Sequence, residues 1–502
     1  MSSRIISRSL TTQNSVKARS LPSRSHGSVD PRMMSFYGVL VLALLLFGAV
    51  LAFPEFAQRH WRVLWFAAGG LGAGIVVFFR RGLRADWLHP AVVYMIIFWL
   101  FHFGLVFPAA LDPDILFSMA PWYYQYFSRP EAGTAVIAAL LFMAFFAWGA
   151  SLLSSPRPVR AESKKRFRTP ELVLGGWAMI LLGLGILVSF VITYGIQVFF
   201  LPYSDYIEIS NTPTYAIINI AFGLILLAVG GSSVRTIIGA GLLTYMPLFL
   251  LTMASGSRTG PLFSLVVIII ILSMRGIRIP RVWLAVGALA VLVLISTIRD
   301  VRSPGLAGAR NAAGAISIGD PMAGMTELGS SICPVIVTAE FMRTSPYLYG
   351  SSYVYPFYRQ IARAIGRDPG SPETDARFIA TYITSFYGSI GFSTVAEAYA
   401  NGGLAGVAIF AVLWGLALGW LVRKAGTPYG AAFLAAVLIP MMSNIRNSFI
   451  YVPAWIFFGA IPLVAMKILR KGISKRRSRE ISEANPPVSE ARLHVPSLGV
   501  KG

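Results

Sequence analysis

The sequence predicts an all-α polytopic membrane protein, with about 12 transmembrane helices and a long, partly helical outer loop between helices 9 and 10. Three observations predict it. Of the 502 residues, 56 % are hydrophobic and 13 % charged, where a soluble chain carries roughly a quarter charged. The charges gather in short clusters between apolar runs near the ~20 residues that a spanning helix needs; a β-barrel would show short alternating segments instead. The basic clusters also fall on alternate connections, as the positive-inside rule requires. The net charge of +22 is therefore a topology signal, and no nucleic-acid partner is expected.

In chain order, residues 1–33 hold Arg4, Arg8, Lys17, Arg19 and Arg24 with no apolar core, so they form a disordered basic cytoplasmic tail and not a signal peptide. Residues 34–298 carry nine apolar runs: Ser35–Phe53, Val63–Phe79, Ala91–Ala110, Gly133–Leu153, Leu172–Thr193, Tyr215–Val229, Thr236–Met253, Pro261–Met274 and Val282–Thr297. Residues 299–403 are a long periplasmic loop. Residues 404–466 carry three more runs, Leu404–Val422, Pro428–Ile445 and Tyr451–Met466, and residues 467–502 form a second basic cytoplasmic tail. With the N-terminus inside, the inner connections hold RRGLRAD, RPVRAESKKRFR, Arg235, RGIRIPR and RKAG. The outer ones hold LDPDILF, YSDYIEIS, SGSRTG and the long loop. Both termini then lie in the cytoplasm.

The basic residues differ by side. All eight lysines fall on the inner side, whereas the long loop carries Arg299, Arg302, Arg310, Arg343, Arg359, Arg363, Arg367 and Arg377. Arginine offers a planar fork to phosphate or carboxylate where lysine is a mobile point charge, so arginines kept on the disfavoured side suggest anion recognition. Arg258, in SGSRTGPLF between two apolar runs, and Arg446, in MSNIRNSF, face the same outer compartment. In YPFYRQIARAIGRD the spacing puts Arg359, Arg363 and Arg367 on one face of a helix, which forms either an interfacial amphipathic helix or a cationic ledge for a lipid diphosphate. Tyr353, Tyr355 and Tyr358 suit the bilayer interface and also stacking on sugar rings. Glu397, in AEAYANGGLAG, stands where the loop re-enters the membrane, either as an anchor for an arginine or as a general base. Cys333 is the only cysteine and the five histidines are scattered, so no disulfide or metal site is expected, and no cofactor motif is present.

GSRTGPLF after an apolar span, the long outer loop and AEAYANGGLAGVAIF before another span resemble the Wzy-type O-antigen or oligosaccharide repeat-unit polymerases, GT-C-like membrane glycosyltransferases related to O-antigen ligases. The resemblance implies polymerisation of undecaprenyl-diphosphate-linked oligosaccharide repeat units into surface polysaccharide (O-antigen, capsule or exopolysaccharide) on the outer face of the bacterial inner membrane, without a metal. A hydroxyl of the acceptor sugar would attack the anomeric carbon of the donor glycan, with the lipid diphosphate leaving. The resemblance makes Arg258 the foremost diphosphate-binding residue, with Arg446, Arg299, Arg302, Arg359, Arg363 and Arg367 behind it. Glu397 is the first choice of base, followed by Asp375 and Glu373, and Tyr353, Tyr355 and Tyr358 are the sugar-stacking candidates. Membrane lipid, a chain-length regulator and a flippase are the further partners implied. An O-antigen ligase would carry a histidine in the long loop, where this chain has none. A lipid-linked oligosaccharide transporter would show paired broken helices in two related halves.

Overall fold

The computed structural model describes residues 54–119, 125–153, 169–202, 212–302 and 319–484, apart from positions 369, 372 and 389, together with residues 41, 44, 48, 205, 206 and 209. Among the described residues it is helical, with no strand. The helices are α1 (Pro54–Leu83), α2 (Pro90–Phe103), α3 (Val106–Leu111), α4 (Asp114–Met119), α5 (Glu131–Leu153), α6 (Pro170–Tyr194) and α7 (Thr212–Gly230). They continue with α8 (Val234–Ala254), α9 (Thr259–Met274), α10 (Arg281–Arg302), α11 (Pro321–Phe341) and α12 (Ser351–Ala364). The last are α13 (Ile379–Tyr387), α14 (Thr394–Lys424), α15 (Pro428–Asn444) and α16 (Val452–Ala484). Among the described residues nine helical segments are long and apolar enough to cross a membrane, and α2, α9 and α15 are shorter apolar helices. The chain is thus a multi-pass membrane protein. The expected span Ser35–Phe53 lies outside the described residues except at positions 41, 44 and 48.

The two largest helix pairings are α5 with α14 and α6 with α7. Hydrocarbon gives helices no hydrophobic reason to associate, so close backbone approach over small residues does the work. A Cβ on Gly149 would come within 2.4 Å of the Val412 carbonyl, and one on Gly415 within 2.3 Å of the Phe146 carbonyl. The α5–α14 contact therefore depends on both glycines.

Three elements differ from the sequence expectation. The run Ala91–Ala110 is divided at Gly104 and Leu105 into α2 and α3. The segment 299–403 is more than a surface loop: α11 inside it is mostly buried and is itself apolar enough to span. Its Thr, Glu and Ser residues lower its hydropathy, which is why it does not stand out as a run. The N–H of Gly319, just before α11, donates to Thr297 Oγ1 (3.2 Å) near the end of α10. Past its other end, Arg343 pairs with Glu131 (2.6 Å) at the start of α5, and Glu340 pairs with Arg129. Both ends of α11 therefore lie beside helix ends that the basic-residue pattern puts outside.

The third difference is α14, which begins at Thr394, ten residues before the expected start at Leu404. The GlyGly pair read as a helix start is an interior break, with Gly402 at φ −177, ψ 31 and Gly403 at φ 59, ψ −147. Breaking a helix frees carbonyls that must find donors away from water. Here the 348–350 segment supplies them: Leu348 N–H donates to Ala400 O (3.0 Å), Tyr349 N–H to Asn401 O (3.1 Å) and Gly350 N–H to Asn401 Oδ1 (2.7 Å). Tyr349 and Gly350 both have positive φ, 46 and 87.

Candidate active site

Ser393 starts α14 with a capping bond, its hydroxyl accepting from Val395 N–H (3.1 Å). One turn on, Glu397 projects from the short first half of the broken helix and is 1 % exposed. Its Oε2 accepts from the N–H of Phe449 (2.6 Å) and from Ser448 Oγ (3.1 Å). Ser352 also hydrogen-bonds to it, and Asn401 Nδ2 donates to Ser352 Oγ (2.8 Å) and to the Glu397 carbonyl (2.7 Å). A buried carboxylate requires such donors, and placing it at Phe449 sets negative charge against the helical segment that begins there and runs into α16. Among the described residues no arginine or lysine is within ion-pair distance of Glu397. The arginine-anchor alternative is thus corrected: Glu397 anchors a helix terminus.

The turn it anchors carries Arg446. Ser443 and Asn447 brace that turn, with Asn447 Nδ2 donating to the Ser443 carbonyl (3.0 Å) and to Ser443 Oγ (3.0 Å). Arg446 is partly exposed, and among the described residues its guanidinium has no hydrogen-bond or ion-pair partner. The ring of Tyr353 stacks on Phe410 (4.9 Å between centroids) and meets Phe449 edge-on (5.1 Å), while its buried hydroxyl lies beside Asn401 and Glu397. The turn that carries Arg446 is thus held by a buried acid, with an aromatic wall packed on Phe449 at its end.

Arg258 stands at the helix junction that its sequence context suggests, but its guanidinium is engaged inside the fold. It caps the start of α9, is 5 % exposed and pairs with buried Glu327 of α11. The pair ties α11 onto the bundle. His102, near the end of α2, also reaches the first half of α14: its Nε2 lies 2.8 Å from Ser393 Oγ and its Nδ1 3.1 Å from the Phe98 carbonyl. The tautomer with the proton on Nδ1 lets that nitrogen donate to the carbonyl and Nε2 accept from the serine.

The remaining candidates gather elsewhere, around α12. Arg359 is buried, donates to the Gly370 carbonyl (2.9 Å) and lies over Phe378 (4.6 Å). Arg363 is exposed on α12, but Arg367 is beyond the helix and shares no helical face with it. The cause is Gly366 at φ 73: Arg367 N–H donates back to Ala362 O (2.8 Å) and Gly366 N–H to Arg363 O (3.1 Å), a glycine-terminated helix end. Arg377 grips Asp375 at two points, Nε to Oδ1 (3.0 Å) and Nη2 to Oδ2 (2.8 Å). Burial raises the Asp375 pKa, but hydrogen bonds from Arg377 and Tyr355 outweigh it and hold the carboxyl at about 2. So weak a base suits an ion pair better than proton transfer. Glu373 is exposed and hydrogen-bonds with Ser371, which lowers its pKa. Tyr355 is buried with Arg377 over its ring (4.0 Å), so that face is closed to a sugar, whereas Tyr358 is exposed. Of Arg299 and Arg302 the structure describes only the backbone, in the last turns of α10.

Glu327, His102, Ser352 and Ser448 were not singled out in the sequence. His102 alone carried a signal, as an ionisable side chain inside the apolar run Ala91–Ala110. Among the described residues no three His, Cys, Asp or Glu side chains converge to hold a metal. In comparison with known proteins, the profile of one family, O-antigen polysaccharide polymerase Wzy, matches residues 40–477. No curated protein and no solved structure matches significantly.

Proposed function

The chain belongs to the O-antigen polysaccharide polymerase family Wzy, and from that membership we propose that Glu397 and Arg446 form the working core of a repeat-unit polymerase. As a member it is a membrane glycosyltransferase that joins lipid-linked oligosaccharide repeat units. The finer reading is that the carrier is undecaprenyl diphosphate and that the site opens to the periplasmic side of a bacterial inner membrane. A chain-length regulator and a flippase would be its partners.

In this reaction the acceptor-sugar hydroxyl oxygen bonds to the anomeric carbon of the donor glycan. The bond from that carbon to the diphosphate oxygen breaks, and its electron pair leaves with the lipid diphosphate. Arg446 meets the charge that develops there, an electrostatic contribution that is usually large in a site from which water is excluded. The proton passes through the Ser448 hydroxyl to Glu397, which already accepts a hydrogen bond from it. Arg258 and Glu327 hold α11 in place, a positioning role in preference to the diphosphate contact expected of Arg258. The observation that carries the proposal is that buried Glu397 anchors the turn that carries Arg446, which has no side-chain partner among the described residues.

Glu397→Gln tests it. Ser448 Oγ and Phe449 N–H both use Oε2, so glutamine keeps an acceptor for these two donors while removing the charge. Polymer formation should fall by about 10²–10⁴ at unchanged protein level, measured as the glycan ladder in a deletion strain. A normal ladder from the glutamine variant would remove Glu397 from the chemistry.

A further inference from the structure

At the end of the bundle opposite Arg446, where Arg80, Arg81 and Arg84 gather, is a cavity of about 460 Å³. It lies between the α1–α2 connection, the turn after α9 and the first turn of α10, and Asp86, Trp87, His89, Arg278, Arg281 and Leu284 line it. Two helices begin there, α2 at Pro90 and α10 at Arg281, and α2 has no side-chain cap. Helix starts present unpaired N–H groups and favour anions. The independent observation is His89, which is nine-tenths buried and, among the described residues, has no hydrogen-bond partner on either ring nitrogen. Burial lowers its pKa to about 4 against the opposing influence of Asp86. The ring is therefore neutral at pH 7, with one donor and one acceptor to offer. Beside the cavity, α10 turns Val282, Trp283, Val286 and Leu289 outward, each at least 50 % exposed, as a continuous apolar stripe.

We propose that this cavity binds an anionic glycerophospholipid with a hydroxylated headgroup, its phosphate on Arg278 and Arg281, its hydroxyls on His89 and Asp86, and its acyl chains along α10. Basic pockets between membrane helices at the cytoplasmic side hold such headgroups, and the basic-residue pattern puts this end of the bundle inside. The Asp86 carboxylate disfavours a bare phosphate and favours a headgroup that brings hydroxyl donors. The apolar stripe selects a lipid over a soluble phosphate ester. The site is separate from the proposed polymerase chemistry, and binding can be read without it.

The test uses the full-length protein, delipidated in detergent, with lipid binding followed by native mass spectrometry and thermal unfolding. Phosphatidylglycerol should bind and raise the unfolding temperature, while phosphatidylcholine of the same chains should not. The double variant Arg278→Gln/Arg281→Gln should weaken phosphatidylglycerol binding by roughly tenfold or more. His89→Phe, which keeps a ring of similar shape but no polar atom, should weaken it severalfold. Lys471→Gln, a cation change outside the cavity lining, should leave it unchanged. Equal binding of the two lipids, or an unchanged affinity in the double variant, would overturn the proposal. Glycerophosphoglycerol, the same headgroup without acyl chains, binding as tightly as the intact lipid would overturn the assignment to a lipid.

Discussion

At the scale of single residues, Arg446 and Arg258 show how little charge alone says about role. Both interrupt apolar sequence and both sit where the basic-residue pattern puts the outside, yet one has no partner among the described residues and the other is neutralised by Glu327. Arg446→Ala should lower the polymerisation rate on the order of a hundredfold by removing a charge-assisted phosphate contact. Arg446→Lys should recover part of that loss, since a point charge survives without the two-point fork. Single-turnover rates on a lipid-linked repeat unit measure both, and equal rates for wild type and Arg446→Ala would exclude a diphosphate contact. Glu397 was legible because a lone acid at the edge of an apolar run is conspicuous. Its partners were not, since Ser352, Ser448 and the Phe449 N–H are 45 to 52 positions away and of ordinary types.

At the scale of elements, the spans could be read wherever an apolar run was unbroken, and failed where polar residues were spent on internal contacts. α11 is the clearest case: Glu327 and its neighbouring serines make the segment look like loop, but Arg258 pairs with the acid inside the fold. A buried pair with one partner removed leaves an uncompensated charge, a loss of about 3–5 kcal/mol, whereas replacing both partners by apolar residues is often neutral. Arg258→Met and Glu327→Met should therefore each reduce folded protein sharply, while the double variant recovers it. The monodisperse peak in fluorescence-detected size exclusion reads this directly. A double variant no better than the singles would mean that Arg258 has a duty beyond Glu327.

For the whole molecule, the charge pattern and the folded arrangement bear on one topology. α11 has both ends beside helix ends that the basic-residue pattern puts outside, so under that topology it enters and leaves on the same face and adds no crossing to the twelve expected. With the buried Cys333 changed to serine, cysteines introduced at Met322 and Thr344 should label from the same side as one at Arg363, and one at Lys424 from the opposite side. Labelling of Met322 and Thr344 from opposite sides would make α11 a true crossing and would put the C-terminus outside. The break in α14 has a consequence for which substitutions the protein tolerates. The atoms that close it are main-chain N–H groups of residues 348–350, so at the exposed Tyr349 side-chain identity is nearly free while the backbone is not. Tyr349, 83 % exposed and at φ 46, should accept glycine with no loss of folded yield, because glycine takes positive φ without strain. Proline at the same position removes the donor and cannot adopt that angle, so Tyr349→Pro should release the first half-helix that carries Glu397 and abolish polymer. If Tyr349→Pro folds and polymerises like Tyr349→Gly, the break is held by something other than that clasp.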